Sequence, residues 1–252
     1  MFNIDRYHDD KKNIVSMIKK TLPDWATTEG FIADGLLDPN QYARESLKIV
    51  CFFSESYGWD AMERVTDIEQ QQHFLKDRKC DVVGTGNYRV RVTSRIAAAL
   101  WLLFESIQRN EKVTFSEFRA KRLFQNSSTN LEIRHHTLAK IGWVNVKKAS
   151  KPAKYGTREN YEEVCRHAKE KNHTILKRQL DSMSPDLLLV CSNAAFNSLS
   201  AIGIIGNQTC CSDFFHLSHP SVWWSYKRAY ENFERVFDFL ASKGGNVFAT
   251  QM

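Results

Sequence analysis

Leu47–Phe53 reads LKIVCFF, and this stretch decides the fold. It is apolar at nearly every position, rich in β-branched and aromatic residues, and too short for a helix. A strand that is apolar on both sides is covered on both faces, as in a parallel sheet. Asp186–Ser192 (DLLLVCS) repeats the pattern, and Gly142–Lys147 (GWVNVK) and Asp213–Ser218 (DFFHLS) read as two further strands. Helical periodicity separates them. Arg95–Gln108 is apolar on most sides, Thr114–Phe124 and Thr129–Lys140 are shorter and amphipathic, and Asn160–Met183 runs until Pro185 stops it. Asp9–Thr21 precedes Pro23, and Trp223–Lys243 ends before Gly244 and Gly245. Strands alternating with helices imply parallel pairing through crossover helices. The expected fold is α/β: a three-layer α/β/α domain with a central four-stranded parallel sheet. A helical insertion, about residues 61–140, separates strands one and two. All 252 residues read as one domain.

Charge sharpens the choice of partner. The chain has 35 Lys/Arg and 29 Asp/Glu, a formal net charge of +6. The balance is uneven: Asn87–Arg178 carries 20 Lys/Arg against 8 Asp/Glu, and the remainder carries 15 against 21. A basic middle within an acidic remainder suits a concentrated positive face for nucleic acid. Cations solvating helix faces are the plain alternative.

The six cysteines, Cys51, Cys80, Cys165, Cys191, Cys210 and Cys211, form no Cys-x-x-Cys pair, and no histidine stands at zinc spacing. Neither a structural metal nor an iron–sulfur cluster is expected, and no other cofactor. Cys51 and Cys191 lie in apolar runs and read as buried thiols. Free thiols suit a reducing compartment. The opening MFNIDRYHDDKK lacks a signal-peptide core, and no apolar run is long enough to span a membrane. A cytoplasmic protein without a membrane partner is the expectation.

Ligands of parallel α/β sheets bind beyond the carboxyl ends of the strands. After strand one comes Ser54-Glu55-Ser56-Tyr57-Gly58-Trp59. Glu55 can orient a water, and Tyr57 or Trp59 can stack on a planar ligand. After strand two come Asn145, Lys147 and Lys148. An amide can read a base edge and lysines can meet phosphates, although backbone can equally satisfy a buried Asn. After strand three, Ser192, Asn193 and Asn197 open a helix, where capping is the simpler role. After strand four come His216-Leu217-Ser218-His219-Pro220-Ser221, then Val222-Trp223-Trp224-Ser225-Tyr226-Lys227-Arg228. This run combines proton-donating, stacking and cationic groups.

In order and placement these strand ends resemble the uracil-DNA glycosylase superfamily. Ser54-Glu55-Ser56-Tyr57-Gly58 resembles the water-positioning motif after the first strand, in its Gly-Glu-Ala-Pro-Gly form, with Ser54 and Tyr57 departing from it. Asn145 stands where the family has a base-reading Asn. His219-Pro220-Ser221 matches the start of the His-Pro-Ser-Pro-Leu motif. The likeness covers roughly residues 45–60 and 141–242 and leaves the insertion unexplained. It implies a monofunctional DNA glycosylase that flips a base and hydrolyses its bond to the sugar. In that reading Glu55 and His219 are catalytic, and Asn145, Tyr57 and Trp59 bind the base. Lys147, Lys148, Ser221, Trp223, Lys227 and Arg228 bind DNA, with Val222, Trp223 and Trp224 as wedge candidates.

The altered aromatic motif and the insertion point to a modified or bulky base. Some bacterial members that resemble this arrangement are thought to act in antiphage defence on hypermodified cytosines, such as glucosylated hydroxymethylcytosine. Two alternatives are classical uracil excision in repair and a non-catalytic nucleic-acid-binding module on the same fold. A nucleotide hydrolase or transferase is a third, although the chain has neither a P-loop nor a Gly-x-Gly-x-x-Gly fingerprint.

Overall fold

The computed structural model describes residues 2–21, 34–54, 88–125, 127–146, 162, 164–166, 168–206, 213–218 and 225–243. In chain order the elements are α1 (Ile4–Thr21), β1 (Gly35–Leu36), α2 (Pro39–Arg44), β2 (Ile49–Phe53), α3 (Tyr88–Arg109), α4 (Phe115–Lys121) and α5 (Ser128–Ala139). Then come β3 (Ile141–Asn145), a π-helical turn at Ala168–Asn172, α6 (His173–Met183), β4 (Leu187–Val190), α7 (Asn193–Ala201), β5 (Asp213–His216) and α8 (Tyr226–Ser242).

The five strands form one sheet in the order β1-β3-β2-β4-β5. The fold is therefore α/β, and all four sequence-derived strands pair in parallel. Ile49 through Phe53 align with Ile141 through Asn145, Ile49 through Phe52 with Leu187 through Val190, and Leu187 through Val190 with Asp213 through His216. The expected sheet of four parallel strands is corrected in one respect. A fifth strand, β1, lies antiparallel on β3, with Gly35 opposite Trp143 and Leu36 opposite Gly142. Two residues carry no period, so nothing in the local pattern announces that strand.

The chain divides into two compact units. The first comprises Met1–His73 and Ile141–Ser218, the second Phe74–Lys140 and His219–Met252. In the first unit, every residue of β2 is buried, as its unbroken apolar run requires. Val50, Phe52, Val144, Leu188 and Val190 share one core with Tyr7 of α1, Tyr42 of α2, Leu176, Leu180 and Met183 of α6, and Ala195 and Leu199 of α7. Tyr42 closes that core by donating its hydroxyl to the Met183 carbonyl at 3.2 Å. Residues of alternate parity, Ile49, Cys51, Phe53, Leu187 and Leu189, point to the opposite face and are also buried. There Phe53 stacks on Trp143 with centroids 3.9 Å apart. Gly142 is the narrow point of β3: a β-carbon there would lie 2.8 Å from Val50 Cγ2 and 3.1 Å from Met183 Sδ.

The second unit is helical among the described residues. α3 packs on α5 and α8, and α8 packs on α4. The described insertion helices thus share their unit with the last helix of the chain. Thr114 caps α4 through a reciprocal capping box with Glu117, and Ser225 caps α8 by accepting from the Arg228 amide. This cap sets the start of α8 at Tyr226, three residues after the start expected from periodicity.

Candidate functional site

The order of the sheet singles out one place for a ligand. From β2 the chain crosses to β3 on one side, and the next parallel strand, β4, lies on the other. This reversal makes the carboxyl ends of β2 and β4 the switch point, where open α/β sheets bind their ligands. Ser54 follows β2 and Ser192 follows β4. Their hydroxyls are 2.5 Å apart and both residues are buried. Ser192 also caps α7, accepting from the Ala195 amide at 3.0 Å. The capping role expected of Ser192 is therefore present, and a second hydroxyl joins it.

One strand over, Asn145 ends β3 opposite Phe53. It is only 3% exposed, and its partner is Asp34, 5% exposed, just before β1. Asp34 Oδ2 accepts from both the Asn145 backbone amide and Asn145 Nδ2, the latter at 3.2 Å. Asp34 Oδ1 accepts from Gln179 Nε2 of α6 at 2.9 Å. Gln179 Oε1 is buried and accepts no hydrogen bond among the described residues. Tyr7 adjoins the cluster, its hydroxyl accepting from the Leu36 amide at 2.8 Å. Burial pushes the Tyr7 phenol well above the usual tyrosine range. The Asp34 charge adds to the rise, and the Leu36 bond opposes it. Tyr7 is consequently neutral at ordinary pH.

This arrangement orients an amide. Asp34 takes one of the two Nδ2 protons of Asn145. The second proton and the Oδ1 acceptor make no hydrogen bond among the described residues. An amide fixed in this way offers a donor and an acceptor side by side, which is what reading a base edge needs. Sequence reasoning passes over both Asp34 and Gln179, although each leaves a signal. Asp34-Gly35 is a turn dipeptide between apolar stretches. Gln179 interrupts the core stripe Ile175, Leu176, Leu180 and Met183 of α6.

Glu55, Tyr57, Trp59, Lys147, Lys148, His219, Ser221, Val222, Trp223 and Trp224 lie outside the described residues. Residues Ser54, Val146 and Ser218, from which those segments leave, are all at the carboxyl side of the sheet. Lys227 and Arg228 are exposed in the first turn of α8. They belong to the helical unit, whereas Asn145 belongs to the sheet unit. His216 ends β5 and stacks on Phe196 at 4.5 Å.

The thiols Cys51 and Cys191 are free and buried. Burial, then the neighbouring Cys51, pushes the Cys191 thiol up, which makes it a poor nucleophile. Among the described residues no group of three or more His, Cys, Asp or Glu could hold a metal ion. No described helix is long and apolar enough to cross a membrane. No family model, curated protein or solved structure matches this chain.

Proposed function

We propose that the chain is a monofunctional DNA glycosylase, built as a three-layer α/β/α domain, that excises a modified base. One observation carries this reading. The segments bearing Glu55 and His219 leave from the same carboxyl edge at which Asp34 holds the Asn145 amide. A reading group and the starts of both chemical segments thus belong to one carboxyl edge of the sheet, the edge that contains the switch point.

The chemistry follows from what bond cleavage requires. Breaking the base–sugar bond builds positive charge on the deoxyribose and negative charge on the departing base. Glu55 orients a water toward C1′ and favours the developing cation. The bonding pair leaves with the base, and His219 stabilises that charge with a hydrogen bond. Water supplies the new C1′–O bond, and its proton balance is met by the departing base and solvent. The products are a free base and an abasic site. Asn145 pairs with the base edge, Tyr57 or Trp59 stacks on the flipped base, and Ser221 with Lys147 and Lys148 holds phosphate. Extruding the nucleotide costs a few kcal/mol, and Val222, Trp223 and Trp224 supply the wedge that offsets it. The preferred substrate is phage DNA with hypermodified cytosine, consistent with a role in antiphage defence.

The test compares wild type with Glu55→Gln and His219→Ala on plain, uracil-containing and hypermodified duplexes, each followed by alkali. Alkali-labile breaks in one substrate, abolished in both variants while DNA binding persists, support the assignment. Breaks at unchanged rate in both variants would refute it.

A further inference from the structure

Several surface cations of the described residues pair with a neighbouring carboxylate. Arg6 pairs with Asp10, Lys12 with Asp9, and Arg166 with Glu170. The helical unit follows the same pattern at one end. Arg109 bridges Glu105 and Glu117, and Lys112 meets Glu234 and Asp238 of α8.

The other end of α4 and α8 gathers five cations with one such pair among them. The helices run in opposite senses: Tyr230 donates to the Val113 carbonyl at 2.9 Å, and Tyr226 stacks on Phe124 at 4.1 Å. The start of α8 is therefore beside the end of α4. The Phe124 amide donates to the Tyr226 hydroxyl at 3.0 Å and fixes that junction. Arg119, Lys121, Arg122 and Arg228 are exposed there and form no ion pair among the described residues. Lys227 is only 3.9 Å from Glu231, on a largely exposed side chain. Lys121 Nζ lies 5.7 Å from the Trp101 ring centre, an approach that leaves its charge uncancelled.

Two features make this cluster costly to the fold. Lys227 and Arg228 stand in the first turn of α8, where the helix dipole opposes positive charge and the turn itself holds no acidic residue. Arg122 holds φ 51° and ψ 35°, the left-handed region that disfavours a β-carbon. Its carbonyl accepts from the Gln125 amide at 2.8 Å and from Asn130 Nδ2 at 2.9 Å, so the conformation is pinned. The buried Arg134 adds charge beneath. Burial raises the Tyr226 phenol, and the charges of Arg122 and Arg134 oppose that rise.

We infer that the α4–α8 junction, formed by Arg119, Lys121, Arg122, Lys227 and Arg228, is a phosphate-binding platform for duplex DNA. The inference rests on the glycosylase reading and deepens it by assigning the helical insertion a role. The helical unit then holds the DNA backbone. Phosphate contacts position a protein without specifying sequence.

The experiment measures affinity of the full-length protein for a plain duplex across a salt series. Wild type is compared with Arg119→Gln/Lys121→Gln/Arg228→Gln and with an ion-paired control, Arg6→Gln/Arg166→Gln. Removing one phosphate interaction lowers the log–log salt slope by about 0.9. The slope of the platform variant should therefore fall by roughly 2.7, with a melting temperature no lower than that of wild type, and the control should match the wild-type slope. An unchanged slope in the platform variant overturns the platform, as does an equal fall in the control or binding confined to single-stranded RNA. Base release is scored separately at low salt. A flattened slope in the platform variant, without base release by wild type, retains the platform and removes the glycosylase reading. Base release with an unchanged slope does the reverse.

Discussion

Asn145 at the end of β3 donates both its backbone amide and its side-chain Nδ2 to one oxygen of Asp34, a carboxylate 111 residues earlier in the chain. This joins the edge strand β1 to the amide at the candidate site. Removing the carboxylate with Asp34→Ala leaves the two Asn145 donors without their acceptor, while Gln179 Nε2 keeps only its longer bond to the Asp34 backbone carbonyl at 3.3 Å. A buried unsatisfied donor costs about 1–3 kcal/mol. The expected loss of stability is therefore at least about 2 kcal/mol, read as a lower urea midpoint at constant slope. A loss below about 1 kcal/mol would show that water replaces Asp34 and that Asn145 is not held by it.

The hydroxyl pair at the switch point is open to a double-mutant cycle. Ser192→Ala removes both the bond to Ser54 and the cap of α7, and should cost about 1–2 kcal/mol. Ser54→Ala removes only the shared bond. Residues in direct contact couple by about 0.5–3 kcal/mol, so the double variant should be more stable than the sum of the single losses implies. Strict additivity would mean that the Ser54–Ser192 bond contributes nothing.

Gly142 tests the packing of β3 between two layers. In Gly142→Ala the new methyl meets Val50, Met183 and Leu36 side chains at 2.8, 3.1 and 3.3 Å. Overpacking of this kind costs about 1–3 kcal/mol, visible as a lower melting temperature. Pairing the change with Met183→Leu, which reshapes one of the three approaches, should recover part of the loss. A stabilised Gly142→Ala variant would contradict the described approach of α6 to the sheet.

Tyr7 gives the fold an alkaline weakness. Its folded pKa lies above the unfolded value, because burial disfavours the phenolate and Asp34 repels it. The native state therefore keeps a proton that the unfolded chain gives up. Stability is fully present below the unfolded pKa, near 10, and falls as pH rises above it. Unfolding followed between about pH 8 and 11 should show this decline in wild type and a flatter profile in Tyr7→Phe. Equal profiles would place the alkaline loss on another group.

The strands and most helices are legible in the sequence because each has a strong local signature. LKIVCFF and DLLLVCS are too short and too apolar for anything but buried strands, and the parallel pairing of β2, β3, β4 and β5 follows from the helical stretches between them. β1 is not legible, because Gly35 and Leu36 become a strand only by meeting Trp143 and Gly142, distant in the chain. Asp34 is hidden for the same reason. Its neighbours in sequence mark it as a turn residue, and only the tertiary fold gives it Asn145 and Gln179 as donors. Counting strand ends locates Asn145 but does not orient it. The cations of α4 lie in the basic middle of the sequence and those of α8 in the acidic remainder, and their gathering at one end requires the antiparallel packing fixed by Tyr226 and Tyr230.

The glycosylase reading is tested most directly by mass spectrometry of free bases released from DNA. Wild-type protein is incubated with duplexes carrying unmodified, uracil and glucosylated hydroxymethylcytosine bases, and the soluble fraction is analysed. The expected result is release of an intact free base from the hypermodified duplex, with an equal number of abasic sites in the strand and no such release by His219→Ala. The contradictory result is firm, salt-sensitive binding to all three duplexes with no free base from any of them.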